Sequence, residues 1–314
     1  MTGHTNPRST RGPIALADGG LETTLIFEMG FDLPEFASFP LLDSTEGRDA
    51  LRDYYGRYID VARTQGVGLV LDSPTWRASA DWGALLGYGA DDLRRINIAA
   101  IEFLRGICDE ARVEGVDVVV SGNIGPRGDG YEVGEQMTAD EAHEFHRAQV
   151  STLAEAGADR ITVLTMTYEA EAVGVARAAA DVGVPIVTSF TVETDGRLPT
   201  GQPLGEAIDA VDAATDGYPV AYGINCAHPD HFADTLAVGG DWVERIGLVR
   251  ANASRMSHEE LDNAEELDAG DPAELGALYG ELRSLLPNLT VMGGCCGTDH
   301  RHIDHIGRSA ITRA

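Results

Sequence analysis

Two of the four cysteines are adjacent in the sequence, and glycines flank them on both sides, at Gly294 and Gly297. The neighbouring thiolates of Cys295 and Cys296 can bind one soft metal ion from the same side, while glycine lets the backbone bend closely around it. A catalytic zinc site needs a third protein ligand, and Cys226 is a candidate for it. The alternatives are buried thiols that pack as small apolar side chains, a vicinal disulfide, or a redox pair.

A zinc ion held by three thiolates would keep an open fourth position and a net negative charge. Such a centre activates water poorly. It binds an incoming thiol well and lowers that thiol's pKa, so that the thiol stays deprotonated at neutral pH. The cysteines therefore favour an enzyme that alkylates a thiol over one that hydrolyses a bond. A non-catalytic zinc-thiolate or redox-sensing protein is a competing hypothesis.

The segments that must position these thiols are short apolar runs that alternate with longer amphipathic stretches. Continuous apolar strands between helices predict a parallel sheet that helices cover on both faces. Eight such units in 314 residues fit a (β/α)8 TIM barrel, so we expect one α/β domain over residues 1–314, with residues 1–12 as a flexible tail. The expected strands are Ile14–Asp18, Val67–Asp72, Val116–Ser121, Arg160–Leu164, Pro185–Phe190, Val220–Ile224, Ile246–Arg250 and Leu289–Met292.

Two of the stretches between the strands carry clear helix signals. Leu93–Val113 places apolar residues at helical spacing, and Thr138–Ala156 begins with a capping-box pattern formed by Thr138 and Glu141. We expect both stretches to be helices, and we expect Cys108, on the apolar face of the first, to be a packed core thiol.

Polar residues follow most of the expected strands, at the end where a barrel enzyme builds its active site. Because the carboxyl ends of all strands meet at one rim, residues that are distant in sequence become neighbours there. We therefore expect Cys226, after strand six, to lie near Cys295 and Cys296, after strand eight. The other rim segments are Asp18–Gly20, Asp72–Trp76, Gly122–Pro126 and Asn252.

Taken together, these motifs resemble the homocysteine S-methyltransferase family, whose members are zinc-dependent barrels. The resemblance covers nearly the whole chain, and the matching segments are Asp18–Thr23, Gly122–Pro126, Gly223–Cys226 and Gly293–Gly297. It implies transfer of a methyl group to the zinc-bound thiolate of homocysteine, which gives methionine.

The resemblance also implies roles for individual residues. Cys226, Cys295 and Cys296 match the Zn²⁺ ligands, and Asp18 matches the acid expected near the amino-acid substrate. We expect catalytic roles for Asp18 and Asn225. The expected substrate-binding residues are Asp18, Gly19, Thr23, Trp76, Arg77, Asn123 and Asn252. For Asn252, a role in capping a loop explains the sequence equally well.

The chain departs from the family pattern at the end of strand four. Many members carry a Glu-Thr pair there, whose Glu contacts the substrate amino group, and the corresponding pair here is Leu164 and Thr165. Glu169 or Glu171 could substitute, or both could lie on a solvated helix face. Arg77 could bind a carboxylate through two parallel hydrogen bonds. The acceptor thus stays open between homocysteine and a different thiol or selenol.

The methyl donor expected from this pattern is a free cation. Because the sequence stops soon after strand eight, we expect no cobalamin or folate domain. S-methylmethionine or S-adenosylmethionine is therefore the implied donor, with betaine as another candidate. Trp76, Trp82 and Tyr168 could offer an aromatic face to a sulfonium group, or could be ordinary packing residues.

The charge composition limits the partners. The formal net charge is −28, and the chain contains arginine but no lysine. Such a chain repels phosphate, so nucleic-acid binding is not expected. The acidic surface is of a type that suits high salt. His300, His302 and His305, near the start of the last expected helix, are read as solvated side chains rather than metal ligands.

The expected environment is the reducing cytoplasm. No apolar run approaches membrane-spanning length, and the first twelve residues lack the apolar segment of a signal peptide. Few, unevenly placed cysteines do not suggest a disulfide framework. The partners are therefore a small thiol acceptor and a methyl donor, without membrane or nucleic acid, and the sequence leaves the oligomeric state open.

Overall fold

Eight parallel strands close into one barrel in sequence order, which confirms the predicted (β/α)8 architecture. The computed structural model describes residues 13–264 and 266–312, so the expected flexible tail at residues 1–12 lies outside the described part. The strands are β1 (Ala15–Ala17), β2 (Gly68–Asp72), β3 (Val118–Ile124), β4 (Arg160–Met166), β5 (Ile186–Phe190), β6 (Ala221–Asn225), β7 (Ile246–Ala251) and β8 (Val291–Gly294).

Helices of the described residues surround this barrel. They are α1 (Leu21–Thr23), α2 (Thr45–Gln65), α3 (Ala80–Leu85), α4 (Ala90–Val113), α5 (Ala139–Glu155), α6 (Glu169–Val182), α7 (Leu204–Thr215), α8 (Pro229–Val238), α9 (His258–Asp262), α10 (Pro272–Leu285) and α11 (His300–Thr312). A short π-helix (Thr24–Glu28) and three 3-10 turns (Pro34–Phe36, Phe39–Asp43 and Asp241–Arg245) complete the connections. In this part of the chain, every helix is too short or too polar to span a bilayer.

The two expected helices are present as α4 and α5. The capping box of α5 is confirmed, because the Thr138 hydroxyl accepts a hydrogen bond from the Glu141 N–H at 3.3 Å while the Thr138 N–H donates to the Glu141 carboxylate at 2.8 Å. Such reciprocal bonds satisfy N–H groups that the first turn of a helix leaves without partners.

Cys108 is fully buried within α4, as predicted.

Strands β3 and β4 extend beyond their predicted ends. Asn123 and Ile124 pair with Thr162 and Val163 of β4, so they belong to the sheet rather than to the loop after it. Asn123 is thus held on a rigid strand at the rim.

The barrel interior is layered. An apolar layer lies across the barrel and consists of Ala17, Val70, Leu164, Val187, Leu248 and Val291. Side chains two residues apart on a strand point to the same side. Asp72 and Arg250, two residues beyond Val70 and Leu248, therefore form part of the next layer, nearer to the rim.

One histidine of the last helix differs from its prediction. His305 is exposed, but His302 is fully buried, so the solvated interpretation is wrong for it. The His302 ring lies 3.1 Å from the Asp299 carboxylate and 2.8 Å from the Ala269 carbonyl oxygen. The helical face that carries His302 packs into the protein, and these two partners satisfy both ring nitrogens.

Candidate active site and metal centre

Three thiols converge at the C-terminal rim of the barrel. The Sγ atoms of Cys226, Cys295 and Cys296 all lie within 4.8 Å of one another. Two thiolates on a tetrahedral zinc ion lie about 3.8 Å apart, given Zn–S bonds of about 2.3 Å. The three sulfur ligands therefore fit a metal ion of this kind once Cys226 and Cys295 are reduced and their sulfur atoms separate.

Two of these thiols are paired in the structure. The Sγ atoms of Cys226 and Cys295 lie at bonding distance as a disulfide, whereas Cys296 is free. The pair joins β6 to β8, and it does not form between the adjacent cysteines, one of the alternatives from the sequence. A thiolate metal site requires the reduced form of this pair. Burial raises the pKa of the Cys296 thiol to about 11, so a nearby positive charge is needed to hold it as a thiolate at neutral pH.

Backbone contacts between strands place the three cysteines. The Cys226 N–H donates to the Arg250 carbonyl oxygen at 3.1 Å, and the Cys295 N–H donates to the Ala251 carbonyl oxygen at 2.8 Å. Hydrogen bonds to the backbone at the end of β7 thus position Cys226 and Cys295. Gly297 adopts a left-handed φ of 77°, and a Cβ there would lie 2.7 Å from the Asp268 carbonyl oxygen. Only glycine fits this turn without displacing the neighbouring loop.

A cavity opens above the thiols, and most of the predicted site residues line it. Those residues are Asp18, Gly19, Thr23, Trp76, Arg77, Asn123, Cys226, Cys295 and Cys296. Leu164 and Thr165 line it too, as does Glu22. The structure therefore brings together residues from β1, β2, β3, β4, β6 and β8 around one space.

Two predicted residues lie behind this surface. Asn225 is fully buried; its Oδ1 accepts hydrogen bonds from the Thr165 N–H at 2.9 Å and from the Ser189 hydroxyl at 2.6 Å. Asn252 is also buried and donates from Nδ2 to the Cys226 carbonyl oxygen at 3.0 Å. In these positions both side chains brace the segments that carry the metal-ligand candidates.

A buried charge cluster forms the floor of the cavity, and sequence reasoning did not assign it. Arg250 contacts Asp18, with 2.6 Å between Nη2 and Oδ1, and it also contacts Asp72. Its remaining N–H groups donate to the Gly294 carbonyl oxygen at 3.0 Å and the Gly19 carbonyl oxygen at 3.1 Å. All three charged side chains are nearly inaccessible to solvent. The sequence did contain one indication of this cluster, the arginine within the apolar strand β7, because a buried charged side chain needs partners.

The charge cluster changes the acidity of Asp18. Burial raises the pKa of this carboxyl to about 7, an effect that Arg250 opposes and the negative charge of Asp72 reinforces. Asp18 therefore titrates near neutral pH, within the range useful for a substrate contact whose strength depends on charge.

Tyr131, in the loop between β3 and α5, is another residue that the sequence did not single out. Its hydroxyl lies 3.5 Å from the Cys296 Sγ, and its ring stacks on His258 with 4.0 Å between the centroids. The His258 ring lies 3.0 Å from the Glu193 carboxylate and 2.9 Å from the Cys226 carbonyl oxygen. Tyr131 and His258 thus connect two of the three cysteine segments.

Arg77 stacks between two tryptophans. Its guanidinium lies 4.3 Å from the centroid of the Trp76 ring and 3.4 Å from that of Trp82. It donates to the Gly128 carbonyl oxygen at 3.2 Å. Arg77 therefore covers one face of the indole rings of Trp76 and Trp82, which were candidates from the sequence for contact with a sulfonium group. Tyr168 is also engaged, because its hydroxyl accepts a hydrogen bond from the Met137 N–H at 3.1 Å.

The glutamates considered as substitutes for the strand-four carboxylate lie outside the cavity lining. Glu171 is buried rather than solvated; its carboxylate lies 2.9 Å from the His146 ring and accepts a hydrogen bond from the Arg127 N–H at 2.7 Å. Glu169 contacts Gln202. Both carboxylates are therefore engaged in contacts outside the cavity.

Comparison with known proteins identifies the family of the chain. The family described as Homocysteine S-methyltransferase matches residues 15–310. The chain is 25% identical over 182 residues to Homocysteine S-methyltransferase 1 of Arabidopsis thaliana, which covers 57% of this chain and 55% of that protein. It is 27% identical over 208 residues to Selenocysteine Se-methyltransferase of Brassica oleracea var. italica, with coverage of 62% and 58%. The chain thus spans little more than half the length of these two relatives.

Among solved structures, the homocysteine methyltransferase MmuM from Escherichia coli has the same fold. Its oxidized form superposes with a TM-score of 0.75 at 22% identity and covers 94% of this chain and 95% of that one. Its metallated form gives a TM-score of 0.73 at 21% identity, with coverage of 95% and 96%. Because the family match extends over nearly the entire barrel, the chain belongs to the homocysteine S-methyltransferase family.

Proposed function

We propose that the protein is a zinc-dependent S-methyltransferase that moves a methyl group from a cationic donor to the thiol of homocysteine and so forms methionine. The observation that carries this proposal is the convergence of three thiols within 4.8 Å at the base of one cavity. Cys226, Cys295 and Cys296 would hold Zn²⁺ as thiolates. When bound, the ion supplies a Lewis acid that keeps an acceptor thiol deprotonated at neutral pH.

The protein's own residues would orient the acceptor for an in-line displacement. The acceptor sulfur attacks the donor methyl carbon, forming a new S–C bond. The old bond between that carbon and the donor heteroatom breaks, and its electron pair stays with the donor, which becomes neutral. Alignment of the reacting atoms within about 3–3.5 Å in the cavity supplies much of the rate.

The chemistry of the cavity wall supports a cationic donor. Carboxylates and aromatic rings line the cavity, an environment that attracts a sulfonium or quaternary ammonium group. These residues are Glu22, Asp129, Asp262, Asp268, Phe27, Phe36 and Tyr131. We propose S-methylmethionine or S-adenosylmethionine as the donor, with betaine as the third candidate.

Methionine formation tests this function directly. Reduced, zinc-loaded protein is incubated with homocysteine and each of the three donors, at low and at high salt. We expect methionine with at least one donor, and loss of that product after chelation with return on added Zn²⁺. Protein that binds zinc stoichiometrically yet forms no methylated thiol with any donor would contradict the proposal.

Two other functions each rest on a specific observation. Leu164 lines the cavity where a carboxylate was expected, which favours a different thiol or selenol acceptor. The Cys226–Cys295 pairing favours the redox alternative, a protein that does not catalyse methyl transfer. X-ray absorption at the zinc edge separates the last from the enzyme, because an acceptor thiol adds one sulfur neighbour only to a site with an open position.

We further propose that the protein works in the cytoplasm, where reduced thiols are maintained. Metal binding is expected to require a reductant, because Cys226 and Cys295 cannot both serve as thiolates while they are paired. Zinc content measured after oxidation and again after treatment with a phosphine reductant checks this expectation. Equal zinc content in both states would argue against these ligands.

The contact of Tyr131 with Cys296 predicts a moderate effect on the metal. In Tyr131→Phe the hydroxyl near Sγ is lost while the stacking on His258 is kept. Partners of metal ligands typically contribute about 10–100-fold to metal affinity, so we expect a loss of about tenfold in zinc affinity. Competition with a chromophoric chelator measures it. Tyr218→Phe, which removes a hydroxyl bound to the Val184 carbonyl oxygen, is the matched control and is expected to bind zinc normally.

A further inference from the structure

Strand four contributes no carboxylate to the cavity, although the proposed acceptor carries an ammonium group. Leu164 is almost fully buried and packs in the apolar layer of the barrel, against Trp76 among others. An ammonium group placed against this side chain alone would lose its hydration without gaining a partner. An acceptor with an amino group therefore needs a carboxylate from another strand.

Strand two provides such a carboxylate. Asp72 is 3% exposed and lines the cavity. Its Oδ2 contacts Arg250, but its Oδ1 is buried and accepts no hydrogen bond from any described residue. A buried carboxylate oxygen without a donor is costly, and such groups in folded proteins normally have partners. A hydrogen-bond donor that enters the cavity from outside the chain would supply the missing partner.

The local charge indicates that this donor is a cation. Asp18 and Asp72 share one contacting guanidinium, that of Arg250, so these three side chains carry one excess negative charge when both carboxylates are ionised. Arg160, farther down the barrel, lies within reach of the field of Asp72 but makes no ion pair with it. A ligand with a single positive charge would balance the floor of the cavity.

A primary ammonium group has three N–H donors, and Asp72 is not the only cavity residue with an unpartnered acceptor oxygen. Asn123, on the adjacent strand β3, also lines the cavity, and its Oδ1 accepts no hydrogen bond from the described residues. Together with Asp72 and Asp18 it offers acceptor oxygens from three consecutive strands. A sulfonium or quaternary ammonium group lacks N–H donors and would leave these oxygens unsatisfied.

We propose that Asp72 on β2 binds the ammonium group of the acceptor, in place of a carboxylate at the end of strand four. This inference rests on the proposed function, because it places the ammonium group of the same acceptor whose thiol approaches the three cysteines. Asp72 is thus a specificity residue that distinguishes amino thiols from simple thiols.

Calorimetry with two thiols tests the assignment without relying on turnover. L-Homocysteine and 4-mercaptobutanoate share the thiol, the carboxylate and the chain length, but only the first carries an ammonium group. Each is titrated into the reduced, zinc-loaded protein. We expect the wild type to prefer homocysteine by about tenfold to a hundredfold, the usual value of a hydrogen-bonded charge contact. Asp72→Asn should remove most of that preference by weakening homocysteine binding alone.

The control is Asp140→Asn, which makes the same chemical change at an exposed carboxylate of α5 outside the cavity lining and should keep the preference. If Asp72→Asn does not give a cooperatively folded protein by circular dichroism, Asp72→Ser serves the same comparison. A wild type that binds both thiols equally, or an Asp72 variant that keeps the preference or weakens both thiols alike, overturns the inference while the thiol site stands. If neither thiol binds the wild type, the proposed function fails and the inference with it.

Discussion

Replacing Cys296 with serine is expected to abolish stoichiometric zinc binding and, with it, methyl transfer. Thiolate zinc sites are worth roughly 10–16 kcal/mol in total, so each ligand contributes about 3 kcal/mol or more, which is about a hundredfold or more in affinity. The other two thiols sit on separate strands, and two ligands alone leave the ion too weakly held to survive dialysis. Zinc content by mass spectrometry and methionine formation by chromatography measure the two effects.

The chain offers a matched control for this variant in Cys108. That thiol is fully buried in α4, and burial raises its pKa to about 12, so it is an inert core side chain. Cys108→Ala should retain full zinc content and activity. If Cys296→Ser binds zinc as tightly as the wild type, the three-thiolate site is wrong, whatever its activity.

Replacing Arg250 with methionine is expected to destabilise the fold by about 3–5 kcal/mol near pH 8, the usual cost of removing one partner from a buried ion pair. The substitution leaves Asp18 and Asp72 facing each other without a cation. It also removes the hydrogen bonds that the guanidinium donates to the carbonyl oxygens of Gly19 and Gly294. Urea denaturation gives the free energy of unfolding. Arg52→Met, which removes an exposed pair with Glu110, should cost less than about 1 kcal/mol.

The loss in Arg250→Met should shrink as the pH falls. The pKa of Asp18 is already raised in the folded wild type, from 3.8 to about 7, so the folded state binds more protons than the unfolded state between these values. Stability from this group is therefore present at low pH and is lost as pH rises through about 7. Without Arg250 the folded pKa rises further. A variant whose deficit is as large at pH 5.5 as at pH 8 would show that the carboxylates are not the cause.

The acidic cavity also bears on how the substrates reach the site. A mouth lined by carboxylates attracts a cationic donor at low ionic strength, and salt screens this attraction over about 10 Å at 0.1 M. The overall charge of −28 extends the same field around the molecule. Contacts deep in the cavity, such as those of Asp72, are shielded from salt. Donor capture is therefore more sensitive to ionic strength than recognition of the acceptor.

Much of the fold was accessible from the sequence because parallel barrels have strong local signatures. Each of the eight strands is a short apolar run, and the alternation with amphipathic helices leaves few other architectures. The meeting of Cys226 with Cys295 and Cys296 followed from topology alone, since all strand ends of such a barrel share one rim. The strand ends themselves were less accessible, because the extension of β3 through Asn123 depends on pairing with β4.

The sequence by itself thus determined the barrel, the three thiols at its rim and the family to which they point. Only the tertiary structure decided how the charged residues are used. Arg250, Asp18 and Asp72 come from three strands that are far apart in the chain, and no local pattern reports that one guanidinium serves two carboxylates. The same holds for Arg77, which stacks on the two tryptophans considered as partners of a sulfonium group, and for Tyr131, whose hydroxyl contacts Cys296. Apolar periodicity is read from neighbours in sequence, whereas the pairing of buried charges depends on which side chains the closed barrel brings within contact.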